Sequence, residues 1–147
     1  MHDDIEAIRR LKARYFRLMD EKDWAGLRGL FADDIHFDVR GGLGPSKKDD
    51  TYDEPAIEGA DEAVAFLRNA LDAVVSIHQG FMPEISIGEE GRASGVWAMA
   101  DIIRAPEGAP FRELRGYGHY HEEYVRAADG WKIARLRLTR LAVDITT

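Results

Sequence analysis

The spacing of apolar residues changes near residue 75, and that change limits the folds open to this sequence. Before it, most apolar side chains recur every three or four positions, as on one face of a helix; after it, they alternate with polar ones, as in half-buried strands. Turn-forming residues at 88–91, 105–110 and 127–130 separate the later runs, and Asp129-Gly130 is a strong hairpin signal. Helices followed by hairpin-linked strands predict an α+β fold with an antiparallel sheet.

Three helices are predicted in the first half of the chain. One face of the first carries Ile5, Ile8, Leu11, Tyr15, Leu18 and Met19, with Asp3 or Asp4 as its N-cap. The second is capped by Asp23 and contains Trp24, Leu27, Leu30 and Phe31, and the third lies within 61–74 and contains Val64, Leu67, Leu71 and Val74.

One strand is predicted between the helices and five after them. The first alternates Ile35, Phe37 and Val39 with polar residues, and the others span 75–81, 84–87, 93–104, 111–126 and 131–144. The polar segment 41–59 is too long for a simple connector and is a candidate mobile flap.

The length of the last strands predicts a curved sheet. Long antiparallel strands twist and bend, and Gly95, Gly116 and Gly118 lie where bends would meet no side chain. The sheet can then curl around the first helix and leave a cavity between them. We expect residues 1–147 to form a single domain, because 147 residues suit one core.

Charge and composition argue against several classes of protein. The net charge of −7 repels phosphate backbones, so no nucleic-acid partner is expected. With no cysteine there is no disulfide or thiolate chemistry. We find no membrane-length apolar run and no signal-peptide pattern, and expect a cytoplasmic protein without membrane contact. Phosphate-loop and nucleophile-elbow motifs are also missing, and no cofactor is expected.

Asp20 and His78 are the residues best suited to proton transfer. An imidazole titrates near neutral pH, so a carboxylate partner can tune it into a general base. Asp20 ends the first predicted helix, where its charge meets the negative end of the helix dipole at a cost of about 0.3–1 kcal/mol. A proton-donating partner would relieve that cost. The alternatives are a structural histidine and a solvent-exposed aspartate.

Two histidines lie two positions apart in a predicted strand. His119 and His121 therefore share a face with Tyr117. With a carboxylate and a third histidine such as His78 they could complete a metal site, but an H-x-H pair alone is a weak signal. We expect a metal-free polar wall of the pocket.

Asp101 interrupts an apolar strand on the side that carries Trp97, Met99 and Ile103. If that side faces the cavity, Asp101 is a buried acid with a raised pKa and a possible catalytic role. A bulge that shifts the register by one residue would instead turn it to water. Tyr15, on the apolar stripe of the first helix, can offer its hydroxyl to a substrate oxygen, although a core tyrosine is the alternative.

Several short segments, taken in order, match a known family. They are Tyr15, Asp20, Lys22-Asp23-Trp24, Phe31-Ala32-Asp33-Asp34, His78 and Asp129-Gly130-Trp131-Lys132-Ile133. On these residues nearly the whole chain resembles the SnoaL-like branch of the nuclear transport factor 2-like (cystatin-like) superfamily, which includes scytalone dehydratase and hexachlorocyclohexane dehydrochlorinase. The resemblance implies a cone-shaped α+β barrel, in which a strongly curved, mostly antiparallel sheet wraps around three N-terminal helices.

The resemblance also implies roles for two residues. In both lyases an aspartate at the end of the first helix holds a histidine on a central strand, and the histidine removes a substrate proton. Asp20 and His78 match these positions. By resemblance, Asp20 orients and charges His78, and His78 is the base.

Other positions depart from those lyases. The two tyrosines that position a water in scytalone dehydratase match Met19 and Val39, its second catalytic histidine matches Ile103, and its serine and asparagine fall near His119 and His121. The residues that abstract the proton are kept, whereas the residues that would identify the substrate are not. The expected substrate-binding residues are Tyr15, Met19, Val39, Trp97, Met99, Asp101, Ile103, Tyr117, His119 and His121.

The resemblance, together with these residues, makes a cofactor-free lyase that acts on a small hydrophobic, cyclic or aromatic-like substrate the leading hypothesis. An isomerase or polyketide cyclase would use the same parts, and the superfamily also contains non-catalytic ligand-binding modules and accessory subunits. The lyase interpretation needs Asp20 and His78 within hydrogen-bond reach, about 2.6–3.2 Å. The resemblance further implies a homodimer or homotrimer formed through the outer sheet face, with Val125, Leu136 and Leu138 contributing.

Overall fold

A computed structural model describes residues 2–46 and 50–147, so residues 47–49 of the candidate flap lie outside the described residues. The helices are α1 (His2–Asp20), α2 (Trp24–Arg28) and α3 (Ala60–Leu71), and a 3-10 turn spans Arg40–Leu43. The strands are β1 (Phe31–Asp38), β2 (Ile57–Glu58), β3 (Val75–Ile87), β4 (Arg92–Arg104), β5 (Glu113–Ala127) and β6 (Gly130–Thr146). Within the described ranges no helix is both long and apolar enough to cross a bilayer.

The boundary between α2 and β1 lies earlier than the apolar spacing predicts. Asp23 caps α2 as predicted, because its Oδ1 accepts the Gly26 backbone N–H at 2.9 Å. The helix ends at Arg28. Phe31, assigned from the sequence to this helix, instead begins β1 and pairs with Ile133 of β6. A short apolar run does not distinguish the end of a helix from the start of a strand.

The six strands form one sheet in the order β2-β1-β6-β5-β4-β3, which confirms the predicted α+β class. Strand β1 runs parallel to β6, and the other neighbouring pairs are antiparallel. The predicted runs 75–81 and 84–87 are one strand, β3, with an irregularity between Phe81 and Glu84. The sheet is therefore mostly antiparallel with one parallel pair.

A predicted glycine position coincides with a break in the register of β5 and β6. The pairing shifts between Tyr117 and Gly118, and a Cβ on Gly118 would overlap the Thr139 carbonyl oxygen. The backbones approach too closely there for any side chain. The pairing of β4 with β5 runs through Gly95 and Gly116 without a shift.

Helix α1 packs against the inner face of this sheet. The shared core contains Ile8, Leu11, Tyr15, Phe16 and Met19 of α1 and Trp97, Tyr120, Tyr124, Ile133, Leu136 and Leu138 of the strands. Leu136 and Leu138 are buried in this core, so the prediction that they form an outer interface is wrong. Val125 alternates with buried Tyr124 and is partly exposed. The homodimer or homotrimer itself stays a prediction.

A group of polar side chains is enclosed within this core. Lys12 Nζ lies 2.6 Å from Glu122 Oε2, and both side chains are 0% exposed. The Tyr124 hydroxyl donates to Glu122 Oε1 at 2.7 Å, and the Trp97 indole N–H donates to the Tyr124 oxygen at 2.9 Å. The buried carboxylate thus has one cationic and one neutral partner, as buried charges require.

Three buried tyrosines make stability depend on pH in alkaline solution. Burial raises the pKa of Tyr15, Tyr120 and Tyr124 above 10.0, so above about pH 10 the unfolded chain loses tyrosine protons that the folded protein keeps, and the free energy of unfolding falls with rising pH. Urea unfolding at several pH values between about 8 and about 11 measures the curve. A free energy of unfolding that stays constant or rises between about pH 10 and about pH 11 would contradict the prediction.

Candidate active site

A cavity of about 500 Å³ opens between α1, α3 and the inner face of the sheet. The 3-10 turn after β1 and residues 54–57 before α3 complete its wall. Its apolar lining includes Met19, Phe37, Val39, Leu67, Leu71 and Ile103. Its polar lining is Tyr15, Arg40, Glu54, His78, Asp101, Tyr120 and Arg140. A mostly apolar cavity with a few converging polar groups is the usual form of a small-molecule site.

Asp20 and His78 are in direct contact at this cavity. His78 Nδ1 lies 2.7 Å from Asp20 Oδ1. The His78 backbone N–H donates to Asp20 Oδ2 at 2.7 Å, and the Ser76 hydroxyl donates to Asp20 Oδ1 at 2.9 Å. Three donors therefore fix the carboxylate. Because a carboxylate accepts the Nδ1 proton, the lone pair of the imidazole lies on Nε2.

Local structure explains how these two residues meet. Asp20 is the last residue of α1, and His78 lies near the start of β3. Phe16, one turn before Asp20, stacks on the imidazole with 6.3 Å between ring centroids and 11° between planes. The His78 side chain is 7% exposed, and its Nε2 lies 3.7 Å from Asp101 Oδ2 in the cavity wall. Phe16 covers one face of the ring and Asp20 holds Nδ1, and Nε2 faces the part of the cavity wall that contains Asp101.

Asp101 is paired with a buried arginine. Arg140 Nη1 donates to Asp101 Oδ1 at 2.7 Å and Arg140 Nη2 donates to Asp101 Oδ2 at 2.9 Å. Both side chains are under 5% exposed. Gly116 lies between them on β5, where a Cβ would sit 2.5 Å from Asp101 Oδ1. Of the two alternatives drawn from the sequence, Asp101 is therefore the buried acid and not the water-facing one, and Arg140 is its cationic partner.

Tyr15 and Tyr120 both line the same cavity. Their rings meet edge to face at 6.0 Å, and Lys12 Nζ lies 4.0 Å from the Tyr15 ring centroid and 3.6 Å from that of Tyr120. Burial raises the pKa of both phenols, and nearby carboxylates add to the rise, whereas Arg140 lowers the pKa of Tyr120. Both phenols therefore keep their protons at neutral pH and can donate hydrogen bonds.

Tyr117, His119 and His121 do not line the cavity, which corrects the expectation that they form its polar wall. They lie on the outer face of β5, because the alternate residues Tyr120 and Tyr124 are buried on the inner face. Burial of two large aromatic rings sets which face of the strand turns inward. The polar character of the histidines gave no information about that choice.

The other expected binding residues fall into two groups. Tyr15, Met19, Val39, Asp101 and Ile103 line the cavity. Trp97 and Met99 share a strand face with Asp101 but are buried behind the lining, where the Met99 sulfur lies 3.5 Å from Arg140 Nη1. Val39, assigned to the first strand from its spacing, follows β1, which ends at Asp38.

Among the cavity residues that the sequence analysis missed, Arg140 and Tyr120 each carried a signal. Arg140 follows Leu136 and Leu138 at steps of two, so it continues the inward face of β6. Tyr120 shares the parity of Tyr124 on β5. A cation that continues an apolar alternation was the pattern to look for, because an inward arginine needs a buried partner.

The metal alternative meets a geometric obstacle. His119 and His121 lie on the outer face, whereas His78 lines the inner cavity, so the sheet separates them. His121 Nε2 shares a hydrogen bond with Thr139 Oγ1 at 3.0 Å. Over residues 2–46 and 50–147, no group of three or more His, Cys, Asp or Glu side chains is arranged to hold a metal ion.

Solved structures from other organisms share this architecture. The Kfla4162 protein from Kribbella flavida matches with a TM-score of 0.82 and 22% identity, over 97% of this chain and 94% of that one. A candidate scytalone dehydratase from Novosphingobium aromaticivorans matches at 0.79 and 20%, over 100% and 93%. A hexachlorocyclohexane dehydrochlorinase from Novosphingobium barchaimii matches at 0.77 and 17%, over 97% and 89%. Identities this low establish the fold alone.

A sequence-family comparison goes further than these structural matches. The family model of the SnoaL-like domain matches residues 2–137. The match includes Asp20, His78 and Asp101 and ends three residues before Arg140. It confirms the resemblance drawn from the sequence motifs, and the chain therefore belongs to the SnoaL-like domain family.

Proposed function

We propose that this protein is a cofactor-free lyase of the dehydratase or dehydrohalogenase type that acts on a small cyclic or aromatic-like substrate. The observation that carries the proposal is the 2.7 Å contact between His78 Nδ1 and Asp20 Oδ1, with Nε2 directed to a cavity of about 500 Å³. That arrangement is what a general base and its orienting carboxylate require. The names of two similar structures, a dehydratase and a dehydrochlorinase, describe eliminations of the same kind.

His78 Nε2 takes a proton from a substrate carbon next to an activating group. The electron pair of the broken C–H bond becomes the π bond of a new C=C bond, and the bond to the leaving group breaks with its own electron pair. A halide departs as the anion, whereas a departing hydroxide takes the proton from the His78 imidazolium and leaves as water. Asp20 stabilises that imidazolium during the step.

Two tyrosines of the cavity lining can donate hydrogen bonds to the negative charge that develops on the substrate. Tyr15 and Tyr120 keep their hydroxyl protons because burial raises the pKa of both groups. A carbonyl oxygen placed against them gains negative charge as the carbon loses its proton. Fixed donors aimed at such an oxygen stabilise the transition state more than the ground state.

A substrate panel tests the proposal. Small hydroxylated or halogenated cyclic ketones, phenols and halogenated rings are incubated with the protein, and the release of water or halide and the new alkene are followed by mass spectrometry. We expect at least one member to lose its leaving group with the wild-type protein and none to do so with His78→Ala.

The matched control is His119→Ala, which removes an imidazole from the outer sheet face and should leave turnover unchanged. An elimination product formed equally by His78→Ala would remove His78 as the base. A product with the composition of the substrate would instead identify an isomerase or cyclase.

A further inference from the structure

The buried arginine of the cavity already has an anionic partner. Arg140 directs both terminal nitrogens to the carboxylate of Asp101, at 2.7 and 2.9 Å. Its Nε donates to the Gly42 carbonyl oxygen at 3.0 Å. A substrate carboxylate would have to displace Asp101 or share the guanidinium with it, in a wall where both side chains are under 5% exposed. Either arrangement would place two carboxylates close together away from water.

The second arginine of the lining is matched in the same way. Arg40 Nε donates to Asp38 Oδ1 at 2.9 Å and Arg40 Nη2 donates to Asp38 Oδ2 at 2.8 Å. Lys12, behind the tyrosine rings, is paired with Glu122. Along the lining residues that the structure describes, each arginine therefore faces a carboxylate, and the protein as a whole carries a net charge of −7. The cavity offers no favourable potential to an anion.

Asp101 still has capacity to accept a hydrogen bond. Each carboxylate oxygen can accept two hydrogen bonds, and Arg140 supplies one to each. Oδ2 lies 3.7 Å from His78 Nε2, beyond direct hydrogen-bond range. When a substrate carbon faces His78 Nε2, a hydroxyl group on the neighbouring carbon can donate a hydrogen bond to Asp101 Oδ2. Asp101 therefore favours a neutral hydroxyl donor next to Oδ2 and disfavours an anionic group at the same place.

We propose that Asp101 determines the charge specificity of the cavity: it selects uncharged ring compounds that carry a hydroxyl group and rejects ring carboxylates, because it neutralises Arg140 and accepts the hydroxyl. The proposal concerns the cavity named in the proposed function, and it rests on that cavity being the substrate site. To the proposed function it adds the class of substrate, uncharged hydroxylated rings, and the residue that selects this class, Asp101.

Two ligands with one ring skeleton test this selectivity. At pH 7, 2-naphthol is neutral and 2-naphthoate is ionised, and isothermal titration gives the Kd of each. We expect the wild type to bind 2-naphthol more tightly. In Asp101→Asn, which keeps the side-chain shape and leaves the Arg140 charge unmatched, the affinity for 2-naphthoate relative to 2-naphthol should rise about ten-fold or more.

Three further variants separate this effect from general charge or damage to the fold. Glu89→Gln removes one exposed carboxylate on the β3–β4 turn and should leave the ratio of Kd values unchanged. The double variant Asp101→Asn, Arg140→Gln should lose the gain in 2-naphthoate binding. Should Asp101→Asn fail to fold, Arg140→Gln decides, because an Asp101 without its cation should widen the preference for 2-naphthol.

Several results would overturn the proposal. They are equal or tighter binding of 2-naphthoate by the wild type, an unchanged ratio in Asp101→Asn, and binding of neither ring compound by the wild type. The outcome is independent of turnover, because both Kd values are measured on ligands at equilibrium and not on a reaction. A protein that turns over no substrate but binds 2-naphthol more tightly, as expected, would contradict the proposed lyase activity and support the role of Asp101. A protein that catalyses elimination but binds 2-naphthoate more tightly would support the lyase activity and contradict the role of Asp101.

Discussion

Replacing Asp20 by asparagine is expected to lower kcat on any substrate turned over in the panel by about 10²–10⁴-fold, with little change in KM. Asparagine preserves the size of the side chain but has only one acceptor oxygen. In the wild type, Oδ2 accepts the His78 backbone N–H, and Oδ1 faces both the Ser76 hydroxyl and His78 Nδ1. The amide oxygen should stay with the backbone N–H, because the amide nitrogen of asparagine cannot accept a hydrogen bond.

The amide nitrogen of the Asp20→Asn side chain must then face His78 Nδ1. Because that nitrogen can only donate, Nδ1 becomes the acceptor and the imidazole proton moves to Nε2, which removes the lone pair that faces the cavity. The wrong tautomer explains a large loss of kcat without a loss of substrate binding, as in other carboxylate–histidine pairs.

Steady-state kinetics and a pH profile measure this effect, and Ser76→Ala is the control. Ser76→Ala removes one of three donors to Asp20 and leaves the carboxylate in place, so kcat should fall by less than about ten-fold. The double variant Asp20→Asn, His78→Ala should be no slower than His78→Ala alone, because the two residues act as a unit. An Asp20→Asn protein with near wild-type kcat would reduce Asp20 to a structural role.

The dyad could be anticipated because its geometry depends on local structure. Asp20 is placed by the end of a helix with a clear apolar period, and His78 lies a few residues into a strand with a clear alternation. The family resemblance then indicated that Asp20 and His78 form a pair. Residue spacing alone does not predict which aspartate contacts which histidine. The α+β class followed from the same periodicities, because hydrophobic period is the strongest secondary-structure signal in a single sequence.

The ion pair in the wall could not be anticipated in the same way. Asp101 and Arg140 are 39 positions apart, and they meet because Gly116 on the strand between them carries no side chain. Alternate counting from Leu136 places Arg140 on the inner face of β6, because the register shift next to Gly118 comes only after Arg140. It does not say which residue of another strand Arg140 meets. Sequence alternation gives the faces of a strand, but the choice between inner and outer face depends on packing with other elements.

Replacing Lys12 by methionine is expected to lower the free energy of unfolding by about 3–5 kcal/mol at pH 7. Methionine fills a similar volume, so the loss does not come from an empty space. It comes from Glu122, whose fully buried carboxylate lies 2.6 Å from Lys12 Nζ and, among the described residues, would keep only the Tyr124 hydroxyl as a partner. The carboxylate must then stay charged without a counter-ion or take up a proton, and either outcome favours the unfolded chain.

Urea unfolding of a double-variant cycle separates this charge effect from packing. Lys12→Met with Glu122→Gln removes both charges and keeps an acceptor for Tyr124, so it should recover most of the loss, as paired replacement of buried ions often does. Arg10→Met is the surface control on the same helix: its side chain is 70% exposed in an ion pair with Glu6, and its loss should stay within about 0.5 kcal/mol. A single Lys12→Met variant as stable as Arg10→Met, or a double variant as unstable as the single one, would contradict the assignment. In that case the side chains of Lys12 and Glu122 would support Tyr15 and Tyr120 in the cavity lining by packing, and their charges would not contribute to stability.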